Sequence, residues 1–259
     1  VLVERRGAPA LFVKTAVAPE AAAVEASRYA ALGAAGLADL APRLVRHLRE
    51  PGVLVLEGLA TPVADLRSLH ASAAEPPLWA GALLGATLAR LHRELSPVAL
   101  RHPAVRIYDA TYFRERSRRA LATLRATGAD LAWLEVLVRT FDDVMIPRLV
   151  GAEPSFIHGE PYPQNMIVEG RRIRTVDWQS AAIGPGAIDL ACLTEGRWPA
   201  SVVAESEAAY VAERWAGDAP PAFREELEAA RVYWSMRWLG IDGDTTTAAE
   251  RSTYVEALR

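Results

Sequence analysis

The sequence has one cysteine, no long apolar run and no excess of positive charge. Cys192 alone cannot form an internal disulfide or an all-cysteine metal site, and a lone thiol is typical of a buried, inert residue in a reducing compartment. No run of about 18 apolar residues and no signal-peptide pattern is present, so we expect a cytoplasmic protein with no membrane partner. The formal net charge of −3 provides no basic surface for nucleic acid.

Lysine is also nearly missing, because Lys14 is the only one among the 29 Lys and Arg residues. The ammonium group of lysine is a compact charge on a flexible stem, which the wide guanidinium of arginine does not replace. "VLVERRG" and "PALFVKTA" lie around a Gly7-Ala8-Pro9 turn and predict a β-hairpin with Lys14 on its second strand. This placement favours a specific role for Lys14 over the chance retention of one surface lysine.

The beginning of the chain predicts a small β-rich lobe with one helix. Residues 18–32, "APEAAAVEASRYAAL", have apolar side chains at helical spacing, with Pro19 near the start and Gly33 past the end. Glu20 and Glu25 lie on this helix. "LAPRLVRHL" and "GVLVLEGL" predict two further strands around an "EPG" turn.

The rest of the chain predicts a larger, mainly helical lobe. Apolar residues recur three and four apart in five stretches, which predicts amphipathic helices over 76–95, 112–126, 129–150, 200–216 and 221–240. The third of these is expected to close near Pro147 and Gly151. "NMIV" and "IRTVDW" predict two short strands joined by the turn "EGRR", and "DGDTTTAAERS" predicts a loop at 242–252. The chain thus divides into lobes 1–58 and 59–259, an α+β organisation.

Polar residues with the spacing of a phosphoryl-transfer site occur at "FIHGEPYPQN". Glu160 lies five residues before Asn165, and Asp177 follows twelve residues later, after the two short strands. In kinase-type sites a strand lysine contacts the nucleotide phosphates, a helix carboxylate holds the lysine, a loop acid meets the attacking hydroxyl, and Asn and Asp hold magnesium. An acid and an Asn in a proline-rich loop are also ordinary turn chemistry. Order and spacing together favour the kinase-type site.

The motifs "HGEPYPQN" and "VDWQSAAIGPGAIDLACL" resemble those of the aminoglycoside phosphotransferase-like small-molecule kinases, which have the bilobal protein-kinase fold. "LFVK", "LVLEGL" and "LARLH" are similar to the family's lysine strand, interlobe hinge and helical-lobe histidine, so the resemblance spans nearly the whole chain. It implies an ATP- or GTP-dependent kinase that phosphorylates a hydroxyl of a small molecule. Gly159 replaces the arginine of the protein-kinase loop and no "APE" follows Asp177, which points away from protein substrates.

The resemblance assigns roles to the loop 158–165, called the HGE loop here. His158 would organise this loop, and Glu160 is the candidate base that receives the proton of the acceptor hydroxyl. Asn165 and Asp177 would hold Mg²⁺. Asp189 would brace the loop from the "DLA" motif.

The resemblance also implies how the nucleotide is held. Lys14 would contact its phosphates. Glu25 is the expected partner of Lys14, because it precedes "ASRYAAL" as the family's helix glutamate precedes its apolar run, whereas Glu20 lies where acids collect at helix N-termini. Glu57 to Leu59 would form the hinge whose backbone meets the base of ATP or GTP.

Two departures from the family pattern support an alternative function. The family's loop acid is normally aspartate, and Glu160 moves the carboxylate outward by one methylene, roughly 1.5 Å. The family's first strand and phosphate-covering turn are also missing from the small lobe, so either a segment precedes Val1 or nucleotide is held weakly. The alternative is a weak or inactive kinase-like protein that binds a small molecule or a partner.

The sequence indicates the acceptor substrate less clearly than it indicates the phosphoryl-transfer site. The segment from residue 195 to the end contains 12 acidic residues and 7 arginines. This negative charge favours a cationic acceptor such as an aminoglycoside, although an ordinary solvated helix face has the same composition. Trp198, Trp215, Trp234 and Trp238 are interpreted mainly as helix packing, with a sugar or aromatic pocket as the alternative. His92 is interpreted as a hydrogen-bonded packing residue. Antibiotic modification is the family default, and choline, homoserine and sugar kinases stay open.

Overall fold

The computed structural model describes residues 2–5, 8–16, 18–59, 64–65, 78–95, 105–126, 131–194 and 198–240, with 252, 254–256 and 258. Within these residues it contains ten β-strands and eight α-helices, numbered here in chain order. The loop predicted at 242–252 falls almost wholly outside the described residues.

The beginning of the chain forms a four-stranded antiparallel sheet in the order β1-β2-β4-β3. Its strands are β1 (Leu2–Arg5), β2 (Ala8–Thr15), β3 (Leu44–Leu48) and β4 (Val53–Glu57). Helix α1 (Pro19–Ala34) packs against β3 and β4. The predicted hairpin, helix and strand pair are therefore present, whereas the lobe boundary after residue 58 stays a prediction.

Helix α1 ends later than predicted, because it continues through Gly33 to Ala34. The residue that ends it is Gly36, whose φ of 76° lies in the left-handed region that glycine adopts without strain. The Leu37 N–H then bonds back to the Leu32 carbonyl at 2.9 Å, which satisfies a carbonyl of the last turn. The terminating glycine was therefore assigned three residues too early.

The remaining helices include those predicted from amphipathic spacing. They are α2 (Leu78–Glu94), α3 (Ala110–Arg125), α4 (Ala132–Thr140), α5 (Ile146–Gly151), α6 (Ala187–Thr194), α7 (Ala200–Trp215) and α8 (Phe223–Leu239). Helix α6 was not predicted as a helix. All eight of its residues are buried, including the polar Asp189 and Thr194, so its apolar side chains are not confined to one side and show no amphipathic period.

The helix predicted over 129–150 is interrupted by a π-helical turn, Phe141–Met145, between α4 and α5. Pro147 has no N–H and its ring crowds the preceding turn, so an ordinary α-helix is strained there. The wider turn accommodates it, and the Ile146 N–H bonds to the Phe141 carbonyl five residues back. The helical conformation therefore continues past Pro147, and helix α5 ends at Gly151.

Two small sheets position the segments around the HGE loop. Strands β8 (Met166–Glu169) and β9 (Arg172–Thr175) form the predicted hairpin, with β5 (Ala64–Asp65) at its edge. Strand β10 (Ala182–Pro185) pairs antiparallel with β7 (Pro154–Ile157) and parallel with β6 (Arg106–Ile107). Strands β7 and β10 were not predicted, because they are short and, unlike β8 and β9, are not joined by a turn that marks them as a pair.

A shared hydrophobic cluster joins the sheet and α1 to the rest of the molecule. Trp178 and Phe156 are fully buried, and their rings stack with centroids 5.7 Å apart. They pack with Leu54 of β4, Leu32 of α1 and Leu91 of α2. The segment before the HGE loop and the segment after the β8–β9 hairpin are thus fixed to the sheet that carries Lys14. Among the described residues, no helix is both long enough and apolar enough to cross a bilayer.

Candidate active site

Lys14 lies at the centre of an ion-pair network that joins three separate parts of the chain. Its Nζ is 2.8 Å from Glu25 Oε2 and 2.7 Å from Asp177 Oδ1. The side chain of Glu25, on α1, is 2% exposed, whereas that of Asp177, which follows β9, is 33% exposed. The sheet, the helix and the hairpin therefore meet at one ammonium group, and Asp177 keeps a face toward solvent.

Burial and charge act in opposite directions on this network. Burial disfavours the charged form of Lys14, but the bonds to Asp177 and Glu25 outweigh it, and the pKa of Lys14 is raised. Burial raises the pKa of Glu25, although Lys14 and the Trp178 N–H, 3.3 Å from Oε1, act to lower it. Lys14 is therefore charged at neutral pH. Glu20, the other candidate partner, is an exposed residue in the first turn of α1.

Asp189 fixes the backbone of the HGE loop through a buried hydrogen-bond network. Its carboxylate accepts the His158 N–H at 2.6 Å and the Gly159 N–H at 2.8 Å. His92 Nε2 lies 3.1 Å from Asp189 Oδ2, and Tyr210 Oη lies 2.9 Å from His92 Nδ1. Burial lowers the pKa of His92 although Asp189 opposes it. Neutral His92 therefore donates Nε2–H to the carboxylate and accepts from Tyr210.

The imidazole of His158 ties the HGE loop to the segment that carries Asp177. Nε2 donates to the Val176 carbonyl at 2.9 Å, and Nδ1 accepts the Glu160 N–H at 3.3 Å. The ring is fully buried against Trp178, with centroids 4.5 Å apart, and this burial lowers the pKa of His158. His158 is therefore a neutral linker between two loops and does not face solvent.

Gly159 has both a conformation and a packing that exclude a side chain. Its φ is 82°, and a Cβ at this position would lie 2.3 Å from the Ser180 carbonyl oxygen. Real Cβ atoms do not approach a backbone oxygen so closely, because protein interiors are already close-packed. The arginine of the protein-kinase loop therefore has no room here.

Glu160 is ion-paired to a residue that the sequence analysis did not single out. Arg237, in the last turn of α8, donates to the Glu160 carboxylate and, through Nη1, to the Gly159 carbonyl at 3.1 Å. Asn165 Nδ2 donates to the Glu160 carbonyl at 2.9 Å. Glu160 and Arg237 are 77 residues apart, and no local pattern in the sequence connects them.

The β8–β9 hairpin brings Asn165 next to the segment that leads to Asp177. Met166 and Thr175 are partners in its register, and one step further the Val176 N–H donates to the Asn165 carbonyl at 2.9 Å. Asp177 follows directly, in a left-handed conformation with φ 67°. The backbone thus places both predicted metal-binding residues at the open end of the hairpin.

The donor set of this pair suits magnesium. Asn165 uses its amide nitrogen for the Glu160 carbonyl and carries the amide oxygen Oδ1 as a potential ligand, and Asp177 offers a partly exposed carboxylate. Mg²⁺ takes oxygen ligands, and in nucleotide enzymes it binds one or two protein side chains and completes its shell with phosphates and water. In the described part of the chain, no three His, Cys, Asp or Glu side chains form an all-protein metal cluster.

The predicted hinge, Glu57 to Leu59, follows directly from strand β4, and its residues differ in their hydrogen bonds and burial. The backbone N–H of Glu57 donates to Arg43 and that of Gly58 to Ala10, so both are used within or beside the sheet. The Glu57 carboxylate lies 3.0 Å from Arg174 on β9. Burial acts to raise the pKa of Glu57, but Arg174 and the Arg43 amide outweigh it and the pKa is lowered. Leu59, half-buried, is the last described residue before 64.

Phe12 is an aromatic side chain beside this site that the sequence analysis missed. In the pairing of β2 with β4, Phe12 lies opposite Leu56 and Lys14 lies opposite Leu54. Because these positions are two residues apart on each strand, all four side chains lie on the same face of the sheet. Phe12 is 40% exposed, so part of its ring is open to contact with a ligand. The signal was available in the sequence, because residues two apart on a strand share a face.

Comparison with known proteins gives a family and a fold. Residues 3–233 match the phosphotransferase enzyme family. The fold is similar to that of a macrolide 2′-phosphotransferase of Brachybacterium faecium, with 20% identity, a TM-score of 0.69, and coverage of 99% of this chain and 87% of that one. No curated protein gives a significant match in the sequence search.

Two further solved structures share the fold. One is a choline/ethanolamine kinase family protein of Mesorhizobium loti, with 17% identity, a TM-score of 0.66, and coverage of 98% of this chain and 82% of that one. The other is an ADP-bound aminoglycoside phosphotransferase, with 14% identity, a TM-score of 0.67, and coverage of 99% and 90%. The predicted α+β, protein-kinase-like fold is confirmed. The chain belongs to the phosphotransferase enzyme family and has the fold of its small-molecule kinases.

Proposed function

We propose that this chain transfers the γ-phosphoryl group of ATP or GTP to a hydroxyl group of a small molecule. The observation that carries the proposal is the meeting of Lys14, Glu25 and Asp177 at one point, with Asn165 on the adjacent strand end. A lysine held by a helix carboxylate, beside an Asp and an Asn, is the arrangement that positions nucleotide phosphates in kinase-type sites.

Each group then has a defined task. The Lys14 ammonium contacts the α- and β-phosphates and is held in place by Glu25. Asn165 and Asp177 hold Mg²⁺, which neutralises charge on the phosphates when bound. The acceptor oxygen attacks the γ-phosphorus while the bond to the bridging oxygen of ADP or GDP breaks. Glu160 accepts the hydrogen bond, and finally the proton, of the acceptor hydroxyl.

The class of acceptor is proposed from the structural relatives and from the charge of the C-terminal region. Aminoglycoside and macrolide phosphotransferases and a choline kinase family protein share the fold, and the acidic composition after residue 195 is compatible with an aminated acceptor. An aminoglycoside or another hydroxylated natural product is therefore proposed as the acceptor, and antibiotic modification as the role. The sequence has a single cysteine, which cannot form an internal disulfide, and this is compatible with the proposed cytoplasmic location.

We expect magnesium–nucleotide to stabilise the native protein. A ligand at 100 times its Kd adds about 2.7 kcal/mol to the free energy of unfolding, which for this size corresponds to a rise in Tm of roughly 5–10 °C. Differential scanning fluorimetry with ATP and GTP, with and without EDTA, measures it. No shift with either nucleotide in the presence of magnesium would contradict the proposal.

A nucleotide-consumption screen over aminoglycosides, macrolides, amino alcohols and sugars then identifies the acceptor. A magnesium-dependent thermal shift together with turnover on one of these classes supports the kinase. A shift without turnover on any class supports the alternative, a kinase-like protein that binds without catalysis.

Phe12→Ala is expected to weaken nucleotide binding about tenfold. Stacking of a base on an aromatic side chain contributes about 1–3 kcal/mol, and about 1.4 kcal/mol is a factor of ten in Kd. Isothermal titration with Mg-ATP measures the change. Val3→Ala is the matched control, because Val3 is 41% exposed and pairs with Leu11 on the other face of the sheet. Equal Kd values for the two variants would exclude Phe12 from the base-binding face.

A further inference from the structure

Arg237 is buried beside the reacting end of the proposed site. It is 8% exposed and belongs to the last turn of α8. One face of its guanidinium lies over the ring of Trp234, with Cζ 4.6 Å from the ring centroid. Its N–H groups donate to the Gly159 carbonyl and the Glu160 carboxylate. Its position is therefore fixed by packing on one side and by hydrogen bonds on the other.

The positive charge of Arg237 is permanent in this environment. Burial disfavours the charged form, but the negative charge of Glu160 and of the surrounding ionisable groups opposes it, and the pKa of Arg237 is raised. A buried guanidinium with no carboxylate would be unfavourable, so Glu160 and Arg237 depend on each other. The planar fork of arginine also sets the direction of the carboxylate it binds.

Glu160 needs such support more than an aspartate would. A glutamate side chain has one more rotatable bond, so an unheld carboxylate would occupy several positions separated by more than about 1 Å. Misplacement of a reacting group by about 1 Å can lower the rate on the order of a hundredfold. Arg237 binds both the side chain of Glu160 and the carbonyl that precedes it, so it selects one position relative to the loop backbone.

We propose that Arg237 is the positioning residue that fixes the Glu160 carboxylate and thereby allows glutamate to replace the shorter aspartate in the HGE loop. The inference rests on the proposed function, since Glu160 must meet the acceptor hydroxyl for its position to matter. Arg237 itself is too buried to meet the substrate. It acts through Glu160, whose side chain is 19% exposed.

Arg237→Met tests the inference, because methionine keeps the length and packing of the side chain but donates no hydrogen bond. We expect kcat to fall about a hundredfold, while the Kd for Mg-ATP changes less than about threefold. Turnover is measured with the best acceptor of the screen and, without acceptor, as hydrolysis of Mg-ATP. Arg231→Met is the matched control, because Arg231 lies on the same helix but pairs with Glu207 and Glu228, and it should keep the wild-type kcat.

A double-mutant cycle separates positioning from general destabilisation. Glu160→Asp should lower kcat in the wild-type background, because the shorter side chain does not reach Arg237. In the Arg237→Met background, the same change should have no further effect or should raise kcat. Independent, multiplying effects of the two substitutions would overturn the inference, as would a folded Arg237→Met variant with wild-type kcat.

Arg237→Lys serves if the methionine variant does not fold. Lysine keeps the charge but lacks the planar fork that serves two acceptors at once, so we expect kcat to fall about tenfold with Mg-ATP binding intact. A lysine variant with the wild-type kcat would overturn the inference. Absence of turnover in the wild-type protein, despite binding of Mg-ATP, would instead overturn the proposed function, and this inference with it.

Discussion

Asp177→Asn is expected to lower kcat by about a thousandfold or more. A metal ion beside the transferring phosphoryl group stabilises several kcal/mol of developing charge, and each 1.4 kcal/mol or so is a factor of ten in rate. Asparagine keeps the size of the side chain and tolerates the left-handed backbone, with φ 67°, that Asp177 adopts. The loss would therefore reflect the missing negative charge rather than a changed loop.

Initial-rate kinetics over a range of magnesium concentrations measures this effect. The apparent magnesium affinity should fall together with kcat, because the carboxylate ligand is lost. Asp39→Asn is the control, because Asp39 is also ion-paired, to Arg90 at 2.5 Å, but takes no part in the proposed site. A variant at position 177 that turned over as fast as the position 39 control would remove Asp177 from the metal-binding role.

Asp189→Asn is expected to lower the free energy of unfolding by about 3 kcal/mol. The carboxylate accepts two backbone N–H groups and His92 Nε2 in a fully buried position. An amide at this position has one oxygen to accept with, and its NH₂ group would face a donor. A buried donor without an acceptor costs about 1–3 kcal/mol, and removal of a buried charged partner has costs of similar or larger size.

Urea unfolding followed by tryptophan fluorescence measures the change. Asp109→Asn is a matched control for the same chemical substitution. Asp109 caps the start of α3, where it accepts the Tyr112 N–H at 2.8 Å, and asparagine caps helices about as well as aspartate. If the two variants lost similar amounts of stability, the network around Asp189 would not be the brace of the HGE loop.

The sequence allowed the secondary structure to be predicted best where the chain is half-buried. Helix α1 and the long helices α7 and α8 expose one side and bury the other, so their apolar period is visible. The hairpin of β1 and β2 was predicted from two strand-type runs on either side of a turn. Helix α6 was missed for the opposite reason, because it is buried on all sides and has no readable apolar period. Strands β7 and β10 were missed because no short turn joins them, whereas the equally short β8 and β9 are marked by the turn between them.

The candidate site divides in the same way. Lys14, Asn165 and Asp177 could be selected from spacing, because kinase-type chemistry fixes the residue types and their order along the chain. Phe12 was missed although its alternation with Lys14 was visible. Arg237 had no signal, because a contact between α8 and the HGE loop depends on how two distant segments pack.

The sequence by itself determined which chemical groups exist and in what order, since a single lysine, a loop acid followed by an Asn, and an Asp after a hairpin are properties of the chain. Only the tertiary structure decided which of these groups touch. The contact of Glu25 with Lys14 was expected from the family pattern but is observed only in the structure, and the contact of Arg237 with Glu160 was not expected at all. The physical reason is that ion pairs form over a few ångströms in space, and packing of the buried core, not separation along the chain, sets those distances.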